Sequence, residues 1–177
     1  MKKIINILFL LLLLMVGSGC DEKKESYRGA VALIFPSLTQ GEPRWLEEQK
    51  RLNSDFFAAN YSVLIGATVD GDQVKQVEYI DKIRALGVQY LIIASSDTLS
   101  QLTNVALEKF VSSGGRVLCY DRLQMGTKSV SGFVSPGLSI VGDMVDRAVH
   151  VIVKWGEGGV PFGVGVVGNG VCEVPVF

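Results

Sequence analysis

The stretch Asp81-Lys-Ile-Arg-Ala-Leu-Gly-Val-Gln-Tyr-Leu-Ile-Ile93 holds the end of a helix, a turn and a strand in immediate succession. Gly87 is typical of a helix end, because glycine adopts the left-handed backbone of that position without a steric penalty. The continuous apolar run over residues 88–94 then predicts a strand that is buried on both faces. Before the turn, apolar residues recur at helical spacing, at Val74, Val77, Ile80, Ile83 and Leu86.

The same succession of strand and helix extends toward the N-terminus. The apolar run over residues 30–35 predicts a first strand, and residues 61–67 predict a second one. Pro43 is well suited to the first turn of a helix that runs from there toward Asn60. The helical spacing of this segment is carried by Trp45, Leu46, Gln49, Leu52 and Phe56.

Toward the C-terminus, Thr98 and Gln101 form a capping-box pattern that predicts the start of a third helix. Residues 116–120 and 130–134 are predicted strands, and a further helix is predicted over residues 140–153. This alternation predicts an α/β fold, a parallel sheet with helices on both faces. The apolar positions of the third helix are Leu99, Leu102, Val105, Ala106 and Phe110, and Gly114-Gly115 ends it.

The N-terminus carries the pattern of an export signal. Lys2-Lys3 is positively charged, and residues 4–16 form an apolar run shorter than the ~20 residues that a membrane-spanning helix needs. Gly17-Ser18-Gly19 is a small-residue cleavage context, and Cys20 follows it at once, as in bacterial lipoproteins. Residues 1–19 are therefore predicted to be a lipoprotein signal peptide, with Cys20 as the lipidated mature N-terminus and residues 20–27 as a tether. An ordinary secretory signal or a short uncleaved anchor are the alternatives.

Composition narrows the class of function. The 177 residues carry a net charge of −1, which argues against a nucleic-acid partner. The sequence shows no metal-ligand spacing, no nucleophile–base pair and no pair of catalytic carboxylates, so neither a cofactor nor an enzyme is expected. Cys119 lies in a predicted core strand, so a buried free thiol is expected there rather than a disulfide with Cys172. The lone histidine, His150, is expected to be structural or solvated.

Two residue pairs stand beside the predicted carboxyl ends of strands, where ligands of parallel sheets bind. Arg44-Trp45 opens the first helix, and Asp121-Arg122 follows the fourth strand. A carboxylate beside a guanidinium offers both an acceptor and a donor to one sugar hydroxyl. An indole offers a flat apolar face to the C–H side of a pyranose ring.

Each of these residues also has a plainer interpretation. Trp45 can be a core residue, Arg44 a solvated residue at a helix start, and Asp121-Arg122 an ion pair of a loop that contributes little. Their common placement at one end of the sheet favours the sugar site.

Residues 29–153 resemble the N-terminal half of the periplasmic sugar-binding proteins of ABC transport, and the xylose-binding type most closely. Three blocks carry the resemblance: Phe35-Pro-Ser-Leu-Thr39 with Arg44-Trp45, residues 81–93, and Val117-Leu-Cys-Tyr-Asp-Arg-Leu123. The resemblance implies that Arg44 hydrogen-bonds the sugar, that Trp45 stacks on it, and that Asp121 and Arg122 bind its hydroxyl groups.

The chain departs from this family in two places. Pro136-Gly137-Leu138 stands where the family usually has an aspartate-asparagine step after the fifth strand. The family has two lobes with the sugar between them, and here residues 28–136 match the first lobe. Residues 137–177 are expected to be only the start of the second lobe, followed by a glycine-rich tail. A form truncated to its first lobe, with weak binding or none, is therefore expected.

The resemblance implies a lipid-anchored sugar-binding component of an ABC transporter, in the periplasm or on the outer surface of the cytoplasmic membrane. Its implied partners are a monosaccharide, an aldopentose or an aldohexose, and a membrane permease. A protein that presents sugar to a membrane receptor or sensor kinase, or a gene remnant without function, are the alternatives.

Overall fold

The structure, a computed structural model, describes residues 26–36, 43–67, 72–134, 141–158, 163–167 and 170–174. The helices are α1 (Pro43–Ala58), α2 (Gln73–Ala85), α3 (Gln101–Ser112) and α4 (Val141–Gly156). The strands are β1 (Ala30–Phe35), β2 (Ser62–Ala67), β3 (Tyr90–Ile93), β4 (Arg116–Tyr120), β5 (Gly132–Val134), β6 (Gly163–Val167) and β7 (Gly170–Val174). Cys20, the signal segment and the Pro136-Gly137-Leu138 step lie outside the described residues.

Five of these strands form one sheet in the order β2-β1-β3-β4-β5. Every pairing in it is parallel, so the carboxyl ends of the strands share one edge. The remaining two strands, β6 and β7, form a separate antiparallel pair. The predicted α/β fold with a parallel sheet is confirmed.

Helices cover both faces of this sheet because successive residues of β1 point to opposite sides. Val31, Leu33 and Phe35 pack in one buried cluster with α1 and α4. Ala32 and Ile34 pack in a second cluster with α2 and α3. The continuous apolar sequence of β1 follows from this burial on both sides.

Three helices end in the same hydrogen-bonded turn, which delivers the chain directly into the next strand. After α2, Gly87 has φ 70°, its N–H donates to Arg84 O at 3.0 Å, and Val88 N–H donates to Ile83 O at 3.1 Å. These bonds define a Schellman motif. Asn60 after α1 and Gly114 after α3 have φ 66° and 93° and repeat it. The helix end predicted at Gly87 is therefore confirmed.

The start of α3 differs from the prediction. Ser100, not Thr98, is the N-cap, and its hydroxyl accepts from Thr103 N–H at 3.1 Å. The predicted apolar face is also partly wrong, because Leu99, Leu102 and Val105 are exposed. Apolar residues surround this helix on several sides, so spacing alone did not identify the buried face. The side packed on the sheet carries Thr103, Asn104, Ala106, Leu107 and Phe110.

Helix α4 shares the core of the sheet, whereas the sequence analysis assigned it to a second lobe. Its buried residues Met144, Ala148 and Ile152 lie in the same cluster as Phe35 and Leu118. It also pairs with α1 through Arg51 Nη2 and Asp146 Oδ1, 2.7 Å apart. This face of the sheet is therefore covered by α4. None of the helices in the described ranges is long and apolar enough to cross a membrane.

Candidate functional site

The structure brings together the four residues that the sequence analysis selected, at the carboxyl edge of the sheet. Arg44, in the first turn of α1, donates from Nη2 to Asp121 Oδ1 at 2.9 Å. The Arg44 guanidinium carbon lies 4.9 Å from the centre of the Trp45 ring, and that of Arg122 lies 5.8 Å from it. Both distances are within the range of cation–π attraction. Residues separated by 77 positions in the chain thus form one cluster.

Asp121 has a backbone conformation that few residues adopt. Its φ is 65°, and Arg122 N–H donates to Tyr120 O at 2.7 Å. A bond between residues two apart around a positive φ is the pattern of a γ-turn, which is rare and strained. Asp121 N–H donates to Val134 O at 2.8 Å, so β5 holds the turn in place. Strain of this kind is concentrated at functional sites, where the surrounding structure enforces it.

The loop that follows Asp121-Arg122 is anchored to the start of α3. Gln124 is buried, and its Nε2 donates to Ser100 O at 3.2 Å and to Asn104 Oδ1 at 2.9 Å. Asn104 Nδ2 in turn donates to Met125 O at 3.0 Å. The two polar residues therefore fix the loop and, with it, the position of the Asp121 carboxylate.

Glu48 is a site residue that the sequence analysis missed. It lies one turn after Arg44 on α1, and its Oε1 accepts from Arg44 Nε at 2.5 Å. The Glu48 side chain is only 1% exposed, against 36% for Arg44 and 16% for Asp121. The i,i+4 spacing of an arginine and a glutamate on a predicted helix is the signal that could have identified the pair.

The electrostatics of the cluster keep Arg44 charged and Tyr120 protonated. Burial alone would lower the pKa of Arg44, but the carboxylates of Glu48 and Asp121 outweigh it and raise that pKa. Burial, together with the nearby Glu48 carboxylate, raises the pKa of Tyr120 far above its ordinary value. The cluster thus presents a fixed cation, and the Tyr120 hydroxyl remains a donor at every physiological pH.

Several polar groups of the cluster make no complete hydrogen bond within the described part of the chain. Glu48 Oε2 and the Tyr120 hydroxyl are buried without a complete hydrogen bond, and they lie close enough for the Glu48 carboxylate to act as an acceptor for the hydroxyl. The bonds of Arg44 use Nε and Nη2, and those of Asp121 use Oδ1. Arg44 Nη1 and Asp121 Oδ2 therefore remain as a donor and an acceptor on partly exposed side chains.

Trp45 lies where the sequence analysis placed it but is only 1% exposed. Its ring packs 5.5 Å from that of Phe35, which lies 5.2 Å from that of Tyr120. Met144 of α4 belongs to the same buried cluster. In this arrangement Trp45 is a core residue whose ring contacts two guanidinium groups. The ring can stack on a sugar only after the side chains that bury it have moved.

The remaining candidates for chemistry lie elsewhere. Cys119 is a free, fully buried thiol, as predicted. Burial raises its pKa to about 12, so the thiol stays protonated and unreactive. Cys172 lies in β7, and His150 is exposed on α4. Among the residues with a described structure, no group of histidine, cysteine and acidic side chains could hold a metal ion.

Comparison with known proteins yields matches among solved structures. A carbohydrate transporter solute-binding protein from Chloroflexus aurantiacus, in complex with D-glucose, is 30% identical with a TM-score of 0.52, over 59% of this chain and 29% of that protein. An ABC transporter solute-binding protein from Clostridium phytofermentans with bound β-D-glucose is 24% identical with a TM-score of 0.55, over 60% and 31%. The Caulobacter myo-inositol-binding protein is 21% identical with a TM-score of 0.53, over 62% and 36%.

The first two of these solved proteins are solute-binding proteins of transporters, and this chain shares the fold of one part of all three. It spans about a third of their length, with 29%, 31% and 36% covered. No protein-family profile matches the chain, and no curated protein is similar to it in sequence.

Proposed function

We propose that this chain is the sugar-binding part of an extracytoplasmic solute-binding protein of an ABC transporter. The Arg44–Asp121 pair at the carboxyl edge of the sheet is the observation that carries the proposal. Arg44 uses Nη2 for this bond and Asp121 uses Oδ1. Among the described residues, this leaves Arg44 Nη1 as a donor and Asp121 Oδ2 as an acceptor. The fold shared with solved sugar-bound solute-binding proteins supports the same function.

Binding by this pair follows from the chemistry of a hydroxyl group, which donates one hydrogen bond and accepts others. A sugar hydroxyl donates to Asp121 Oδ2 and accepts from Arg44 Nη1, and both bonds are charge-assisted. Arg122 supplies further donors from the same turn. Trp45 supports the two guanidinium groups and stacks on the sugar only after the side chains that cover it move. No chemical reaction is part of this function.

The sugar class that we propose is an aldopyranose, with xylose as the first candidate. We expect the chain on its own to bind it at millimolar affinity or weaker, about −4 kcal/mol. The reason is that the contacts come from one side, so the ligand keeps most of its surface in water and the hydrogen bonds are not desolvated.

The location that we propose is the outer surface of a membrane, with Cys20 as the lipidated residue and a permease as the partner. The apolar run ahead of Cys20 and the small residues before it support this. Mass spectrometry of the mature protein should find a diacylated or triacylated N-terminal cysteine, and Cys20→Ala should release the protein from the membrane. An unmodified N-terminus at any other residue would remove the lipid anchor from the proposal.

Calorimetric titration of the full chain with xylose, glucose and rhamnose tests the sugar site. Arg44→Gln and Asp121→Asn should each abolish measurable binding, because each removes one partner of the hydroxyl. The matched control is Asp81→Asn, since Asp81 pairs with Arg84 at 3.3 Å on α2, outside the site. Binding that survives both site variants would refute the site. A wild-type chain that binds no sugar up to tens of millimolar would refute the function.

A further inference from the structure

We propose that Glu48 is a positioning residue that keeps the Nε–Nη2 edge of Arg44 from closing on Asp121 and so leaves Asp121 Oδ2 to the sugar. The inference rests on the proposed function for its ligand, a neutral polyhydroxy compound. The division of the Arg44 donors between Glu48 and Asp121 can be tested without any ligand.

The division is visible in the hydrogen bonds of the guanidinium group. Arginine binds a carboxylate most strongly when two of its N–H groups engage both oxygens at once. Here Glu48 takes the Nε–H at 2.5 Å, so the fork made by Nε and Nη2 cannot close on Asp121. Asp121 is left with a single bond, from Nη2 at 2.9 Å. The Nε–Nη2 edge of Arg44 therefore does not engage Asp121 Oδ2.

Burial fixes Glu48 in this role. Its side chain is 1% exposed, so water does not compete for the Arg44 Nε–H. The bond is also local, since Arg44 and Glu48 face each other across one turn of α1. Asp121 reaches Arg44 from a strained turn after β4 and is more exposed than Glu48. Of the two carboxylates, Glu48 is thus the one that sets the orientation of the guanidinium.

A buried carboxylate with an unpaired oxygen is costly to keep. Glu48 Oε2 makes no complete hydrogen bond among the described residues, and the Tyr120 hydroxyl is a donor close to this carboxylate. An apolar side chain of similar size would remove this atom, but it would also leave the Arg44 Nε–H without its acceptor. The function that we assign to the carboxylate is the one described above, because without it Arg44 is free to form a two-bond pair with Asp121. That pair would engage Asp121 Oδ2, the acceptor that a sugar hydroxyl needs, and would leave only the Arg44 Nη1 donor.

The test is a double-mutant cycle between Arg44→Gln and Asp121→Asn, measured by urea unfolding of the full chain. The cycle is run in the wild-type background and again with Glu48→Met, which removes the acceptor. We expect the coupling between Arg44 and Asp121 to rise about tenfold in the unfolding equilibrium constant, the effect of one further charge-assisted hydrogen bond. Glu48→Gln keeps a neutral acceptor for Nε–H, so its coupling should lie between the two. If Glu48→Met does not fold, the coupling is measured in Glu48→Gln instead.

Sugar titration of the same variants gives the second readout. Glu48→Met should weaken sugar binding about tenfold, and Glu48→Gln should restore part of it. A role confined to stability would lower the unfolding free energy of both variants and leave coupling and affinity unchanged. The matched control is Glu47→Gln, because Glu47 is on the same helix and pairs with Lys50, at 3.0 Å on the surface. That variant should change neither readout.

The outcomes separate the two proposals. A coupling that stays the same in the Glu48 variants overturns the positioning role, whatever the sugar result. A coupling that rises while affinity is unchanged overturns the link to ligand binding. A wild-type chain that binds no sugar refutes the proposed function and with it that link, whereas a risen coupling in such a chain still supports the control of Arg44 by Glu48.

Discussion

Replacing Asp121 by alanine or by glycine should separate the stability of the γ-turn from the chemistry of the carboxylate. Both substitutions remove the carboxylate and its 2.9 Å bond to Arg44. They differ in the backbone, because the residue at this position has φ 65°. Alanine meets the steric cost of the left-handed region, and glycine does not.

The difference between the two variants follows from two opposing terms. A left-handed backbone costs a residue with a Cβ about 1–2 kcal/mol. Glycine instead loses more conformational entropy on folding, about 0.4–1 kcal/mol relative to alanine. The glycine variant should therefore be more stable than the alanine variant by about 1 kcal/mol. Asp121→Asn is the third member of the series, because asparagine tolerates the left-handed region and lacks only the charge.

Urea unfolding measures the stability series, and calorimetric sugar titration of the same proteins measures binding. We expect the order of stability to place glycine and asparagine above alanine, while none of the three variants binds sugar. An alanine variant as stable as the glycine variant would show that the turn is not kept in solution. A variant that is stable and still binds sugar would show that Asp121 is not a ligand.

Three further predictions concern the rest of the fold. Ser100→Ala should lower the unfolding free energy by about 1 kcal/mol through loss of the α3 N-cap, whereas Thr98→Ala should change it by only a few tenths; the reverse order in urea unfolding would restore Thr98 as the cap. Trp155→Ala should cost about 3–5 kcal/mol because Trp155 is only 2% exposed, and the exposed His150→Ala is its control; a Trp155 variant as stable as wild type would show that α4 does not pack on this sheet. Burial raises the pKa of Cys119 from 9.0 to about 12, so the fold retains a proton that the unfolded chain releases. The stability contributed by this group is full below about pH 9 and is lost as the pH rises toward 12; the stability of wild type relative to Cys119→Ala should fall over that window, and a constant difference would contradict the burial of the thiol.

The position of α4 decides how much apolar surface this face of the sheet exposes. In the structure, α4 covers this face with Met144, Val145, Ala148, Val151, Ile152 and Trp155. The bond between Arg51 and Asp146 adds a contact between α4 and α1. Large apolar residues stay exposed at the starts of two other helices, with Leu99 at 71% and Leu102 at 58% beside α3 and Val74 at 61% in α2.

The sequence by itself determined the order of strands and helices and the parallel sheet. These depend on local rules: an apolar run for a strand buried on both faces, and a left-handed glycine for a helix end. Gly87 and the strand after it obey both rules, so they were predicted correctly. The start of α3 was not, because Thr98 and Ser100 are both good capping residues and only the packing of the helix on the sheet selects between them.

The sequence also pointed to Arg44, Trp45, Asp121 and Arg122, since each pair stands next to the carboxyl end of a strand. Only the tertiary structure decided how these residues share their polar atoms. The burial of Trp45 depends on α4 and on Phe35, which are distant in sequence. The division of the Arg44 donors between Glu48 and Asp121 depends on bringing α1 beside the turn after β4. Periodicity reports which face of an element is buried, but contacts between elements arise only when the chain is folded.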